Sequence, residues 1–397
     1  MLVQTLKGFR DFLPPEARKR QYVINTLKSV FESYGFEPLE TPALEYDEIL
    51  TGKYGTEGDK LMYRFKDNGD RNVAMRYDQT VPLARVVAQY QNELPMPFKR
   101  YQVQPVWRAE NTQRGRFREF LQCDIDTVGT NSPFADAEIL AIINDSFEAL
   151  GFKNFKILVN DRTLFADLPP KAIITIDKLK KIGTEAVKKE LEALGVKGEK
   201  LEELVGATPT ENLEKIMQSA EEFGVNNARV TFESTLARGL DYYTGLIIEV
   251  EIDGYTVGSV GGGGRYDNLV GMFSDRQLPA VGFAFGFDRI IEAMTEQKLF
   301  PDDLSSTKVL VTIFSQELLD NSIEACYQLR AQGIATDLYL DPEAKMEKQL
   351  KYADQKDIPY AIVIGPEEVK KEKVVLKNLK TREQRELTLD QLPDALK

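Results

Sequence analysis

Apolar residues recur along the chain at two spacings, and the spacing changes where the elements change. Within 16–34, Val23, Leu27, Val30, Phe31 and Tyr34 fall three or four apart, the repeat of one helix face. Pro14 and Pro15 precede this helix and Gly35 ends it. A second amphipathic helix is predicted over 136–150, closed by Gly151. From "FEPLETPALEY" to about residue 130, short apolar stretches alternate with turn residues, which predicts an antiparallel sheet with helices around it. Alternation disappears between about 161 and 228. There "IDKLKKIGTEAVKKELEALGVKGEKLEELVG" and "TENLEKIMQSAEEFG" read as helices with charged, solvated faces. Strands resume with "LARGLDYYTGLIIEVEI", followed by the glycine run 261–264 and "AVGFAFGFDRIIEAM".

"EQKLFPDDLSST", 296–307, reads as a linker. Beyond it the pattern is βαβαβ: "KVLVTIF", a helical 316–332, "TDLYL", a helical 343–356, then "YAIVIG". The expectation is an α+β core, an antiparallel sheet with flanking helices, formed by 1–160 and 229–298. A helical insertion at 161–228, a linker at 299–307 and a C-terminal α/β domain at 308–397 complete it.

Composition narrows the picture. At 397 residues there is room for two or three domains. No run of about 18 apolar residues occurs, so no membrane-spanning helix is expected. The N-terminal stretch lacks a basic segment followed by an apolar one, so no secretory signal is expected either. Cys123 and Cys326 sit far apart in apolar-patterned segments, which predicts two buried thiols and a cytoplasmic location. The net charge of −12 argues against non-specific binding to nucleic acid. Residues 99–118 depart from it, with Lys99, Arg100, Arg108, Arg114, Arg116 and Arg118 against Glu110 alone. The chain contains no histidine, which removes imidazole zinc sites and histidine-based triads. Acid–base work falls to carboxylates, tyrosines or the substrate.

Two stretches carry candidate chemistry. In 119–128 a period of two sends Leu121, Cys123 and Ile125 to one face and Gln122, Asp124 and Asp126 to the other. A cleft on the polar side would receive an amide and two carboxylates. Arg114, Arg116 and Arg118 stand at alternate positions in the preceding loop, and guanidinium forks match phosphate oxygens. "LARGLDYYTG", 236–245, sets Arg238, Asp241, Tyr242 and Tyr243 side by side. Taken singly, "GGGG" reads as a flexible turn, the tyrosines as strand residues and Arg289 as a surface charge.

Taken together they resemble a family. "FRE" after an arginine-bearing strand and loop resembles motif 2 of the class II aminoacyl-tRNA synthetases, "AVGFAFGFDRI" resembles motif 3, and "FEPLETPALE" the dimer-forming motif 1. "ARGLDYYTG" and "GGGGRYDNLVGMF" look like the two signature peptides of the histidyl-tRNA synthetase family. "MRYDQTVPLARV" resembles its amino-acid loop in the archaeal and eukaryotic form. The motifs span nearly the whole chain in family order.

The resemblance implies a class II core, activation of L-histidine with ATP to histidyl-adenylate, and transfer to the 3′ end of histidine tRNA. It also implies Mg2+ with the ATP, a homodimer and a C-terminal anticodon-binding domain. By the same resemblance Arg108 and Arg238 meet the α-phosphate and the substrate carboxylate, Glu110 lies near the adenine, and Arg116 and Arg289 hold the outer phosphates. Asp78 and Thr80, with Gln79 between them and Gln122 beside, take the α-amino group. Asp126 takes the imidazole N–H and Tyr243 the other ring nitrogen, Tyr242 and Tyr266 shape the pocket, and Gln113 approaches the tRNA acceptor end. Two departures stand out: Asp288 where the family commonly has Glu, and Thr112 where many bacterial members have proline. The rival is the non-catalytic paralogue that regulates ATP phosphoribosyltransferase, which usually loses the "RGLDYY" arginine context and the C-terminal domain.

Overall fold

The computed structural model describes residues 3–52, 61–237 and 242–396. Two compact units form, one from Met1–Leu13 and Arg20–Leu299, the other from Pro14–Lys19 and Phe300–Lys397.

The strands of the first unit are β1 (Glu37–Pro38), β2 (Leu44–Tyr46), β3 (Arg64–Lys66), β4 (Asn72–Met75), β5 (Phe98–Trp107), β6 (Glu119–Val128), β7 (Phe155–Asp161), β8 (Val230–Phe232), β9 (Leu246–Ile252), β10 (Gly261–Arg265) and β11 (Ala280–Phe285). Eight of them make one sheet in the order β1-β5-β6-β11-β10-β9-β7-β8. Its centre is antiparallel, as the alternation predicts; the end pairs β1–β5 and β7–β8 are parallel. β2, β4 and β3 form a separate antiparallel sheet.

Register decides which face does what. Tyr101 opposes Ile125, which opposes Phe283, and Cys123 opposes Phe285; these residues are buried on one face. Two long helices cover that face. Pro14–Ser33 buries Val23, Leu27 and Phe31, and the Phe31 ring lies 5.4 Å from Phe285 and 5.7 Å from Tyr101. Pro133–Ala149 brings Phe147 to 6.0 Å from Phe285 and 5.3 Å from Phe155. This helix starts three residues before the expected 136, because Ser132 accepts from the Phe134 N–H and Pro133 occupies the first turn.

The opposite face is polar and carries a second ladder: Arg100, Gln102 and Gln104 on β5 oppose Asp126, Asp124 and Gln122 on β6. Next to them β11 offers only Gly282 and Ala284. The glycine run is a buried strand, not a flexible turn. A Cβ on Gly263 would sit 2.1 Å from the Gly282 carbonyl oxygen, so only glycine lets these strands approach.

Between β7 and β8 the helices Pro170–Ile176, Leu179–Ile182, Thr184–Ala193, Glu199–Val205 and Glu211–Glu222 follow one another. Val187, Leu191, Leu201 and Leu204 from them share a core with Leu158, Ile247 and Tyr243 of the sheet unit.

In the second unit β12 (Val309–Val311), β13 (Thr336–Leu338), β14 (Tyr360–Val363), β15 (Val374–Asn378) and β16 (Gln384–Leu387) make a sheet ordered β13-β12-β14-β15-β16. The first three are parallel and are joined by helices Leu319–Ala331 and Met346–Gln355. The antiparallel β15–β16 extension lies beyond the βαβαβ pattern read from the sequence. Both cysteines are free and buried. Among the described residues no helix is long and apolar enough to cross a membrane.

Candidate active site

The hairpin β5–β6 pairs without interruption from Phe98 opposite Val128 to Trp107 opposite Glu119, and its mouth holds the loop 108–118. The Arg108 N–H donates to the Arg118 carbonyl (2.8 Å), closing the loop's base. Arg108 Nε donates to the Tyr77 carbonyl (2.9 Å) and its guanidinium lies 5.0 Å from the Phe120 ring centre. This ties the loop to the segment bearing Asp78.

A cavity of about 320 Å³ opens beside the loop. Arg108, Glu110, Arg116, Gln122 and Arg289 all line it, with Phe117 and Phe120 as apolar wall and Gly261, Gly262 and Ala284 as floor. Five of the sequence-predicted residues therefore meet at one cavity. The other two loop arginines are occupied elsewhere. Arg114 bonds Glu292 (2.6 Å) and Glu296 (2.7 Å), and Arg118 Nε donates to the Glu110 carbonyl (3.0 Å). Arg289 donates to the Ser259 carbonyl (2.6 Å) and stands close to Gly115. Its neighbour Asp288 is held by Arg10 (2.9 Å) and Arg20 (2.7 Å), and the Arg10 guanidinium lies 3.3 Å from the Phe117 ring centre. The shorter acid at 288 is thus fixed from behind, a brace that no motif in the sequence signalled.

Gln122 carries the polar surface onward into a buried cluster. Its Nε2 donates to Asp124 (2.7 Å), and Tyr266 O–H donates to Asp126 Oδ1. Asp124, Asp126, Gln122, Arg100, Asp78, Tyr243 and Tyr266 are all buried. Burial pushes the Asp124 carboxyl well above the usual range, with Arg100 opposing and Asp126 and Asp78 reinforcing. Asp126 is pushed up to about 6 by burial, held down by Arg100 and by the Tyr266 bond. Tyr242 packs 4.6 Å from Tyr243 and edge-on to Tyr266 at 5.8 Å, with the phenol oxygens of Tyr242 and Tyr243 3.4 Å apart.

The tyrosines are held by braces around them. Arg265 pairs with Asp136, and Thr244 donates to Asp267 (2.9 Å), so the residues flanking Tyr266 are structural. Gln79 is fully buried and donates to the carbonyls of Gln104 (2.9 Å) and Gln122 (3.2 Å); its amide fastens the loop to the hairpin. Thr80 opens the helix Thr80–Gln89. Gln113 is exposed at the loop tip, bridged to Arg116. Arg238 lies outside the described residues, as does Asp241.

Sequence reasoning put Asp124 on the polar face but gave it no role, and saw Arg100 only as one of several basic residues. Period-2 reading of "RYQVQ" would have placed Arg100 on that face as well. Among the described residues, no three Asp, Glu or Cys side chains come together as metal ligands.

The family described as Histidyl-tRNA synthetase matches residues 8–200 and 185–290, and the one described as Anticodon binding domain matches 308–397. The chain is 41% identical to the histidine–tRNA ligase of Cytophaga hutchinsonii, with 97% of each covered. It is 39% identical to that of Rhodopirellula baltica over 99% of this chain and 97% of the relative. The crystal structure of histidyl-tRNA synthetase from a Nostoc species matches with a TM-score of 0.89 at 32% identity, covering 100% of this chain and 99% of that one. A Bacillus halodurans chain described as an ATP phosphoribosyltransferase regulatory subunit/histidyl-tRNA synthetase shares the fold alone, at a TM-score of 0.75 and 22% identity.

Sheet, motif 2 hairpin and nucleotide-sized cavity together define a class II aminoacyl-tRNA synthetase. Within that class, the chain belongs to the histidyl-tRNA synthetase family. Its activity is that of an ATP-dependent histidine–tRNA ligase, and the regulatory alternative is not favoured.

Proposed function

We propose that ATP and histidine lie end to end along the polar face, meeting at Arg108. One observation supports this reading above others: Gln122 belongs both to the cavity and to the buried carboxylate cluster. ATP occupies the cavity, with Arg116 and Arg289 on its outer phosphates and Glu110 toward the base. Histidine occupies the cluster. Its α-ammonium meets Asp78, Thr80 and Gln122; the Gln122 Oε1 has no hydrogen-bond partner among the described residues. Its ring meets Asp126 and Tyr243, with Tyr242 and Tyr266 as walls.

A carboxylate oxygen of histidine attacks the α-phosphorus, and the bond to the bridging oxygen breaks to release pyrophosphate. No proton need move in this step, so a chain without histidine loses nothing. The protein's share is alignment and charge: Arg108 and Arg238 stabilise negative charge on the α-phosphate. The 3′ hydroxyl of histidine tRNA then attacks the acyl carbon and AMP leaves, a phosphate oxygen of the departing AMP taking the hydroxyl proton, with Gln113 near the acceptor end. Magnesium, which the family normally uses, travels with the ATP phosphates.

The other assignments follow. Residues 1–160 and 229–298 form the catalytic core, 161–228 the insertion, 299–307 the linker, and 308–397 the anticodon-binding domain. The enzyme works in the cytoplasm as a homodimer. For the dimer the support is an apolar face of the small sheet, where Leu44, Tyr46 and Phe65 are exposed.

ATP–pyrophosphate exchange without tRNA, run against each of the twenty amino acids, tests the reading. Exchange with histidine alone is expected. Exchange with none of them, in folded protein, overturns it.

A further inference from the structure

The polar face contains a charge that the reading above leaves without a task. Arg100 sits on β5 directly opposite Asp126 and is completely buried. Its Nη2 lies 2.7 Å from Asp126 Oδ2. That contact is an ion pair outside hydrogen-bond angles: none of the three guanidinium nitrogens has a hydrogen-bond partner among the described residues, and neither has Asp126 Oδ2. A buried guanidinium without hydrogen bonds is strongly disfavoured unless a counter-charge retains it. Asp126 is that counter-charge.

Among the described residues, Arg100 from β5 and Tyr266 beyond β10 act on Asp126, and Asp126 in turn raises Asp124 on its own strand. β11 contributes Gly282 and no titratable group there. One step further out, Asp78 acts on Asp124 and Tyr242 acts on Tyr266. Burial raises the Asp124 carboxyl, and its Oδ2 accepts from the Gln122 amide at 2.7 Å. Arg100 and Asp126, paired at 2.7 Å, sum to zero.

We propose that Arg100 sets the charge of the imidazole pocket: by cancelling Asp126, it makes the pocket take the ligand ring as neutral imidazole and refuse imidazolium. The proposal rests on the reading that Asp126 meets the ring. A neutral imidazole has one N–H donor and one nitrogen acceptor. The donor suits Asp126, and the acceptor suits a phenol such as Tyr243. Arg100 touches no reacting atom in this scheme. It is a positioning residue that acts through Asp126.

The absence of histidine from the chain makes the test direct, because every imidazole signal then belongs to the ligand. Nitrogen NMR of ring-15N histidine bound to the wild-type protein should show a neutral ring, in one tautomer, at pH 7 and still at pH 6. The free ring is mostly protonated at pH 6, its pKa being about 6.5. In Arg100→Met the bound ring should be protonated at pH 7, and in Arg100→Lys neutral again. A protonated ring on the wild-type protein, or a neutral ring on Arg100→Met, overturns the proposal. If Arg100→Met does not fold, the wild-type spectrum decides alone.

Kinetics give a second reading of opposite sign. The KM for histidine of the wild type should rise as pH falls below about 6.5, approaching tenfold per unit, because the binding form disappears. The KM of Arg100→Met should instead rise as pH rises, because its complex holds one more proton. Parallel profiles overturn the proposal, and the KM for ATP reports whether the variant site is intact. Asp126→Asn separates the two ideas. Ring signals unchanged by it remove the underlying reading, and with it the proposal. Ring signals displaced by it keep that reading, and the wild-type ring's charge then decides the proposal alone.

Discussion

Gly282 has room for a hydrogen and nothing larger. A Cβ there would lie 1.9 Å from Asp126 Oδ1 and 2.7 Å from the Ile125 carbonyl oxygen. Gly282→Ala must therefore swing the Asp126 carboxylate away from Tyr266 or part β6 from β11. The expected result is a KM for histidine raised at least tenfold, on the scale of about 1–3 kcal/mol for a displaced buried polar contact. The KM for ATP should stay within about twofold, because the cavity floor uses Ala284 and Gly262 instead. Steady-state pyrophosphate exchange measures both, and an unchanged histidine KM would show that Asp126 does not meet the ring. At this scale the sequence was informative where one strand's own alternation sufficed: Gln122, Asp124 and Asp126 share a face by period alone. It was silent on Arg100, because that arginine's meaning comes from its cross-strand partner. Arg114 misled for a related reason, since the acids that hold it, Glu292 and Glu296, lie far away in the chain.

Elements were legible in proportion to their length and to their side chains. The helix Pro14–Ser33 announces itself through an apolar residue every third or fourth position. β1 and β8 are two and three residues long, too short to carry a pattern, and they are the strands that make the sheet edges parallel. The strand Gly261–Arg265 has four glycines and hence no alternation to read. What joins the elements is aromatic: Phe285 touches the rings of Phe31, Phe147 and Phe283, so one side chain links two helices to the sheet. Phe285→Ala should destabilise the first unit by about 3–5 kcal/mol through lost burial and an unfilled cavity. Chemical denaturation followed by far-ultraviolet circular dichroism would measure it. A loss under about 1 kcal/mol would mean that the helices dock without that ring.

At the scale of the whole molecule, the small sheet β2-β4-β3 is built the wrong way round for a protein that works alone. Along β2 the apolar residues Leu44 and Tyr46 are exposed, whereas Glu45 turns inward and pairs with Arg85 at 2.7 Å. Phe65 opposes Val73, which opposes Tyr46, so the exposed residues share one face. A half-buried strand in a monomer would reverse this order. Burying a charged pair inward while leaving three large apolar side chains outward makes sense if a second surface covers them. In a two-fold dimer the same patch serves both copies, so each substitution acts twice. Tyr46→Glu combined with Phe65→Glu should therefore convert the dimer to monomer in analytical ultracentrifugation while leaving the far-ultraviolet spectrum unchanged. A dimer that survives both glutamates, or a wild-type protein that sediments as a monomer, would move the interface elsewhere or abolish it. Should the monomer form and lose pyrophosphate exchange as well, the order of the active site would depend on the partner copy, for Asp78 and Arg108 reach the small sheet through the Arg76–Tyr77 segment that continues β4.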